Sequence, residues 1–235
     1  MSDPTYKLLS AAPSSRREVA AWVLYDWANS GYATLSITVL VAYLQNVIFP
    51  VDRWGSTGVV VWAWGIALSM LCGAALSPFL GAIADAHASK RRWLGATAFC
   101  GAGASILLAH APTDGTWFIV VLFLSANLCF ELSLTFYNGF LPELVDEDDY
   151  NRVSALGYGW GYVGGGIALA IVLGLFIYGP TWGLSDREEQ LQWGLRIMGL
   201  WWGVFTLPAF IFLRDRGTAQ REYVSVSKTA KHSWN

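Results

Sequence analysis

Four polar residues near the start of the first apolar segment share one face of a predicted helix. Asp26, Ser30 and Thr34 recur at every fourth position, and Asn29 lies beside them. A carboxylate, an amide and two hydroxyls in one stripe can hold an ammonium group or a proton, or can hydrogen-bond to another helix. In an apolar environment the stripe must face a polar surface or a water-filled cavity, because an unpartnered polar group is costly there.

A second stripe repeats this pattern farther along the chain. Asn127, Glu131, Thr135 and Asn138 follow one another at spacings of four, four and three residues, which also places them on one helix face. Glu131 lies near the middle of its apolar segment, and we interpret it as the best candidate for loading and releasing a proton. Asp26 is expected either to contact a substrate ammonium group or to act as a gate. In the alternative interpretation, both stripes only join helices through hydrogen bonds.

The composition indicates that these stripes lie in a membrane. The chain is 54% hydrophobic and only 14% charged, and it contains 13 tryptophans, which is typical of an integral membrane protein. The segments lack the alternation of a membrane β-barrel, so an all-α fold is predicted.

The net charge of -2 indicates no nucleic-acid partner. No metal site, cofactor or enzyme activity is predicted, since no ligand cluster, nucleotide loop or nucleophile–base pair is found.

Six segments approach or exceed the ~20 apolar residues that cross a bilayer as a helix. They cover residues 19–49, 58–84, 92–111, 116–141, 152–179 and 190–213. The chain is thereby divided into an N-terminal segment (1–18), a six-helix transmembrane bundle (19–213) and a polar tail (214–235). Most of the Lys and Arg residues between or beyond the spans fall on the side of the two termini, which predicts that both termini are cytoplasmic.

The fifth segment carries a regular series of glycines. Gly157, Gly161 and Gly165 are spaced by four residues and form a seam of small residues that allows another helix to approach closely. The approaching helix lies either in the same chain or in a second chain, and the spacing is compatible with both.

The loop after the second segment contains the most specific motif, which reads GAIADAHASKRR. Its distinctive residues are Gly81, Asp85 and the basic cluster Lys90, Arg91 and Arg92. The motif resembles the signature between the second and third helices of the major facilitator superfamily. Together with YDWANSGYAT, FYNGFLPEL and RVSALGYGWGYVGGG, it makes the chain similar to the vacuole-effluxer branch of that superfamily, which is related to autophagy-associated amino-acid exporters.

This resemblance implies one half of a major-facilitator fold and the function of a secondary transporter. Members of the superfamily usually have twelve helices in two halves, with the substrate site between the halves and access alternating between the two membrane faces. The implied cargo is a small polar solute such as an amino acid, and a bacterial cytoplasmic membrane is the expected location. Proton coupling is expected from Glu131 rather than from the resemblance. Membrane lipid is the other expected partner. A non-transporting assembly or sensor protein is the alternative.

The six predicted helices supply only one such half. A parallel homodimer would complete the arrangement, and a separately encoded second half would do so equally well. In the homodimer, Asp85 is expected to meet residues 151–154 of the partner chain, where Arg152 could add a charge-assisted bond. The glycine seam would then lie along the same junction.

Overall fold

The computed structural model describes residues 15–216. Within that range the chain folds into six long helices, α1 (Arg16–Ile48), α2 (Thr57–Ala86), α3 (Lys90–Leu108), α4 (Thr116–Asn138), α5 (Glu147–Tyr178) and α6 (Arg187–Phe212). Two short helices, Val51–Trp54 and Leu141–Leu144, and a 3-10 turn, Gly179–Trp182, lie between them. Most of the predicted N-terminal segment and tail, including several basic residues used to assign the orientation, lie outside the described residues.

Five of these helices are long and apolar enough to cross a membrane, which confirms a multi-pass integral membrane protein in which the described part is helical. The exception is α3, since it begins with Lys90, Arg91 and Arg92 and is rich in glycine and alanine. A sixth crossing at α3 and a cytoplasmic position for both termini therefore stay predictions.

Helices α1 and α5 are among those that begin earlier than their apolar segments suggest, because polar residues form their first turns. At the start of α1, the Ser15 hydroxyl accepts a hydrogen bond from the Glu18 amide, and the Glu18 carboxylate accepts one from the Ser15 amide. This capping box starts the helix at Arg16 rather than at residue 19. Helix α5 starts at Glu147 rather than at residue 152, and its first turn holds three acidic residues, which the helix dipole favours at that end.

The helices are arranged around α1 and α4. Helix α1 packs against α5 on one side and α6 on the other, while α3 packs against both α4 and α6. Helix α2 packs mainly against α4 and reaches the far end of α1. The core therefore lies among α1, α3, α4 and α6, and α2 and α5 are at the edges of the bundle.

The glycine seam of α5 lies directly against the polar stripe of α1. A Cβ atom built on Gly161 would lie 2.7 Å from the Ser30 hydroxyl oxygen, and one built on Gly165 would lie 2.5 Å from that of Thr34. Any side chain at these positions would collide with α1. The structure thus places the seam against a helix of the same chain, and its predicted place along a homodimer junction stays a prediction.

Helices α2 and α4 pack in the same manner. A Cβ atom on Gly73 would lie 2.9 Å from Cβ of Glu131, and the hydroxyl oxygens of Ser77 and Thr135 are 2.6 Å apart. In both pairs the contacts advance four residues at a time in the same direction along each helix, so both pairs are parallel. The polar stripes of α1 and α4 each lie against a row of small residues on a parallel neighbour.

The edge helices leave large apolar side chains uncovered by the described residues. The most exposed of them are Trp64, Leu71 and Phe79 of α2 and Tyr158, Tyr162 and Ile177 of α5. These faces are suited to contact with lipid or with another helical bundle.

The close packing of α1 and α5 predicts an asymmetric response to substitution in the glycine series. Gly161→Leu should lower the free energy of unfolding by about 1–3 kcal/mol, because the new side chain must displace Ser30 or the α1 backbone. Gly166→Leu is the matched control, since a Cβ atom there meets nothing within 4 Å. Thermal unfolding in detergent measures both variants, and equal destabilisation would contradict the packing described.

Candidate functional site

Asp26 is a buried carboxylate at the junction of α1 and α5, with a relative exposure of 8%. The Asn29 side chain donates a hydrogen bond of 3.3 Å to its Oδ1 atom. A Cβ atom on Gly157 would lie 2.8 Å from Asp26 Oδ2 and 3.1 Å from the Tyr137 hydroxyl oxygen. Because Gly157 has no side chain, the Asp26 carboxylate and the Tyr137 hydroxyl can both lie next to this position of α5. Among the described residues, Asp26 forms no ion pair.

Tyr137 of α4 is held in this place by the aromatic residues of α1. Its ring stacks on Trp22 with 4.4 Å between ring centroids, and the Trp22 indole N–H donates a 3.0 Å hydrogen bond to the Tyr137 carbonyl oxygen. The Tyr25 ring lies 5.2 Å away. The search for polar stripes passed over Tyr137 because tyrosine is also a normal core residue. Its position directly before Asn138 is the only sequence signal that pointed to it.

The second stripe is divided by its surroundings. Asn127 is buried and accepts a 3.5 Å hydrogen bond from the Tyr32 hydroxyl, while its Nδ2 group forms no hydrogen bond within residues 15–216. Glu131 is half-buried beside α2 and has neither a hydrogen bond nor an ion pair in that part of the chain. Thr135 is joined to Ser77 of α2, and Asn138 is exposed.

The two stripes lie on neighbouring helices without meeting directly. The Tyr32–Asn127 hydrogen bond links α1 to α4, but no hydrogen bond or ion pair joins Asp26 to Glu131 in the described part of the chain. Each carboxylate instead lies where its helix contacts a row of small residues. The site is therefore two polar positions joined by aromatic packing, rather than a single cluster.

The loop-motif residues belong to a separate charge network at the end of the bundle where α1 begins. The Lys90 ammonium nitrogen is 2.6 Å from Asp85 Oδ1 and 2.6 Å from Glu143 Oε1, and it donates a 3.2 Å hydrogen bond to the Gly139 carbonyl oxygen. Burial lowers the pKa of Lys90, but the hydrogen bonds and charges of Asp85 and Glu143 raise it by more, so the net pKa lies above its usual range.

Glu143 also joins this network to the residues that follow α6. Its second carboxylate oxygen accepts a 3.0 Å hydrogen bond from the backbone amide of Arg216. The Arg216 guanidinium in turn donates to both carboxylate oxygens of Glu18, at 2.9 and 2.7 Å. The network thus ties together the α2–α3 loop, the end of α4, the residues after α6 and the first turn of α1. Sequence reasoning missed Glu18, Glu143 and Arg216, since nothing in their local spacing connects them.

The other residues of the loop motif have smaller roles in the structure. The Arg91 backbone amide donates a 3.0 Å hydrogen bond to Asp215, Arg92 is exposed, and a Cβ atom on Gly81 would lie 3.8 Å from the Thr135 methyl group. Arg152 is exposed and pairs with Asp149 of its own helix. Asp85 keeps 41% of its side-chain surface exposed beside Lys90, so its predicted contact with a second bundle stays a prediction.

Comparison with known proteins identifies the family. The family model described as "Vacuole effluxer Atg22 like" matches residues 45–235. The chain belongs to this family. The resemblance to the vacuole-effluxer branch of the major facilitator superfamily is therefore confirmed.

Similar proteins come from bacteria and fungi. The chain is 29% identical over 205 residues to the MFS-type transporter YxiO of Bacillus subtilis (strain 168), a match that covers 86% of the chain and 48% of YxiO. It is 28% identical over 207 residues to a protein of Aquifex aeolicus (strain VF5), covering 88% of the chain and 48% of that protein. Autophagy-related protein 22-2 of Aspergillus clavatus is 40% identical over 67 residues, which are 28% of this chain and 10% of that protein. No solved structure matches the chain.

The chain thus spans about half the length of the two bacterial relatives. The assignment to a transporter family applies to the chain in general.

The charge network predicts a strong effect of removing its central cation. Lys90→Met should destabilise the fold by about 3–5 kcal/mol, because Asp85 and Glu143 would be left without their shared partner. Since the folded-state pKa of Lys90 is raised, the network is intact at pH 7 and its contribution is lost only as the pH rises through that pKa. Thermal unfolding at neutral pH is the measurement.

Two further variants make this prediction specific. Lys90→Met combined with Glu143→Gln should recover part of the lost stability, since the neutral amide no longer needs a cation and can still accept the Arg216 hydrogen bond. Arg92→Met removes the same charge from an exposed position and should have little effect. Similar losses for Lys90→Met and Arg92→Met would show that net charge matters rather than the network.

Proposed function

We propose that this chain forms one six-helix half of a secondary transporter that moves amino acids or similar ammonium-bearing solutes by alternating access across a bacterial cytoplasmic membrane. The observation that carries the proposal is Asp26. A carboxylate in a membrane-spanning helix with no counter-cation among the described residues is a binding group by default. An ammonium group would supply the missing charge, and the Asn29 amide and Tyr137 hydroxyl lie close enough to take part in orienting it.

Glu131 takes a different role in this proposal. It is half-buried, lies against Gly73 of α2, and has no hydrogen-bond donor or cation within residues 15–216. A carboxyl group in such a place binds a proton more readily than one that is solvated or paired. We assign the proton-coupling step to Glu131, with the proton taken up when the group faces one side of the membrane and released when it faces the other.

The packing of α1 on α5 supports movement between two such states. Gly157, Gly161 and Gly165 present only backbone to α1, so at these three positions no side chain of α5 projects between those of α1. Two helices joined by a smooth seam can shift relative to one another with little repacking. Movement along the seam would change the access to Asp26, which lies at its first position.

The two carboxylates should separate substrate binding from proton coupling. Asp26→Asn is expected to abolish both exchange and pH-gradient-driven uptake of a labelled mixture of the standard amino acids in proteoliposomes. Glu131→Gln should keep exchange but lose the stimulation by a pH gradient. Asp52→Asn removes a carboxylate whose side chain is 77% exposed and should behave as the unmodified protein.

Two results would contradict these assignments. Full pH-driven uptake by Glu131→Gln would remove its coupling role, and unchanged exchange by Asp26→Asn would remove its binding role. If the unmodified, correctly assembled protein transports none of the labelled solutes, the non-transporting alternative gains support.

The second half is supplied, in this proposal, by a second copy of the chain. The uncovered apolar faces of α2 and α5 are available for this contact, whereas the glycine seam is already occupied by α1. In a parallel two-fold dimer, α2 of one copy would pack against α5 of the other and enclose the stripes of α1 and α4. A separately encoded half, or a longer form of this chain, would use the same faces.

Crosslinking between differently tagged copies tests the dimer. A cysteine at Leu71 of one copy should form a disulfide with a cysteine at Tyr162 of the other, in a background without native cysteines. Leu71 and Tyr162 are 68% and 82% exposed and lie near the middle of α2 and α5. A cysteine at the exposed Leu200 of α6 replaces Tyr162 in the control and should give no crosslink. A monomeric protein without the Leu71–Tyr162 crosslink would exclude the homodimer and favour a separate second half.

A further inference from the structure

Two adjoining cavities lie at the end of the bundle where α1 begins and α6 ends. One, of about 560 Å³, is bordered by Arg16, Arg17 and Arg214 together with Ile211 and Phe212. The other, of about 400 Å³, runs along α1 towards α5, and its walls are mostly apolar. Arg16 borders both cavities, so a charged region continues directly into an apolar groove.

The arginines of the first cavity have no anionic partner within the part of the chain that the structure describes. Arg16, Arg17 and Arg214 are exposed and form no ion pair with any carboxylate within residues 15–216. Glu18 also borders this cavity, but its carboxylate is occupied by Arg216. Three cations at the boundary of the membrane-spanning region are therefore available to one ligand.

The apolar groove is bordered by residues of α1 and α5, at the end of α1 where Trp27 lies between α5 and α6. Toward the other end they meet, where a Cβ atom on Gly194 would lie 3.4 Å from the Val172 side chain. At the near end the gap is filled by Trp27, whose ring is 5.6 Å from that of Trp201 and 6.1 Å from that of Trp160. From these rings, the groove continues between α1 and α5 toward the start of α1 and reaches Arg16.

We propose that this composite surface is a binding site for an anionic phospholipid. The phosphate would lie among Arg16, Arg17 and Arg214, and an acyl chain would occupy the groove bordered by Val19, Val23 and Leu156. Arginine donates several N–H groups to phosphate oxygens, and basic pockets between membrane helices suit anionic head groups. A free phosphate ion would leave the apolar groove empty, whereas a phospholipid matches both the charge and the apolar wall.

This site is distinct from the polar stripes and has a structural consequence of its own. A lipid held there touches α1 and α5 through its chain and the end of α6 through its head group. It therefore bridges α5 and the end of α6, which approach each other closely at Val172 and Gly194, toward the other end of α1. Its occupancy should stabilise the arrangement of α1 between α5 and α6.

Native mass spectrometry of the detergent-solubilised full chain tests the proposal. The protein should retain phosphatidylglycerol in preference to phosphatidylcholine, and added phosphatidylglycerol should raise the thermal unfolding midpoint. Inorganic phosphate alone should leave the midpoint unchanged. Arg16→Gln and Arg214→Gln should each lower phosphatidylglycerol retention about fivefold, since one basic residue near an anionic head group contributes about that factor.

Substitutions of matched type separate the site from general effects. Arg53→Gln removes an exposed arginine, with a side chain 79% exposed, near the opposite end of the bundle and should retain phosphatidylglycerol as the unmodified protein does. Ala20→Trp fills the apolar groove and should remove retention, while Ala170→Trp on the exposed surface of α5 should not. If Ala20→Trp does not fold, the two arginine variants, which change only exposed side chains, still decide the question.

Several outcomes would overturn the proposal. Equal retention of the two lipids, or an equal loss of retention in Arg53→Gln, would show that no specific head-group site exists. An increase of the midpoint by inorganic phosphate alone would indicate a site for free anions. Unchanged retention in both Arg16→Gln and Arg214→Gln would exclude these arginines from the head-group region.

Discussion

The contact between the polar stripe of α1 and the glycine seam of α5 is the interaction on which the rest of the structure depends. Hydrocarbon offers no hydrogen bonds, so Asp26, Ser30 and Thr34 must be covered by protein or face a cavity. Helix α5 covers them by presenting backbone at every fourth residue, and any larger side chain there would push the helices apart. Because α5 packs so closely against α1, Asp26 lies next to Gly157 and Tyr137.

Helices α4 and α2 show the same kind of packing, a polar stripe against a row of small residues. Helix α4 places Glu131 and Thr135 against Gly73 and Ser77 of α2, again with parallel helices. The two pairs are joined where α1 and α4 cross, through Trp22, Tyr32 and Tyr137. Aromatic contacts join the central helices, whereas α2 and α5 at the edges pack through rows of small residues.

The partners of charged side chains differ between the end of the bundle and its middle. At the end of the bundle, Asp85 and Glu143 share the Lys90 cation and Glu18 pairs with Arg216, and these ion pairs hold segments that are far apart in the sequence. Asp26 and Glu131 have no such cation in the described part of the chain. Burying a charge without a partner costs free energy that a purely structural role does not require. This contrast is the physical reason for which we propose a binding role for the carboxylates in the middle and a structural role for the network at the end.

Much of this protein could be predicted from its sequence. The membrane class, the approximate spans and the faces that hold Asp26 and Glu131 follow from composition and from the four-residue spacing, because both are properties of a single helix in an apolar solvent. The first turns of α1 and α5 were missed, since a search for apolar residues overlooks capping residues. The family also became recognisable from short motifs.

Only the tertiary structure decided which helix faces which. The seam at Gly161 is equally compatible with a helix of the same chain or of another, and three-dimensional packing placed it against Ser30. The pairing of Lys90 with Glu143, and of Arg216 with Glu18, joins residues that no periodicity relates. The physical reason is that helix formation depends on neighbours along the chain, whereas contacts between helices depend on shape and charge brought together only after the chain has folded.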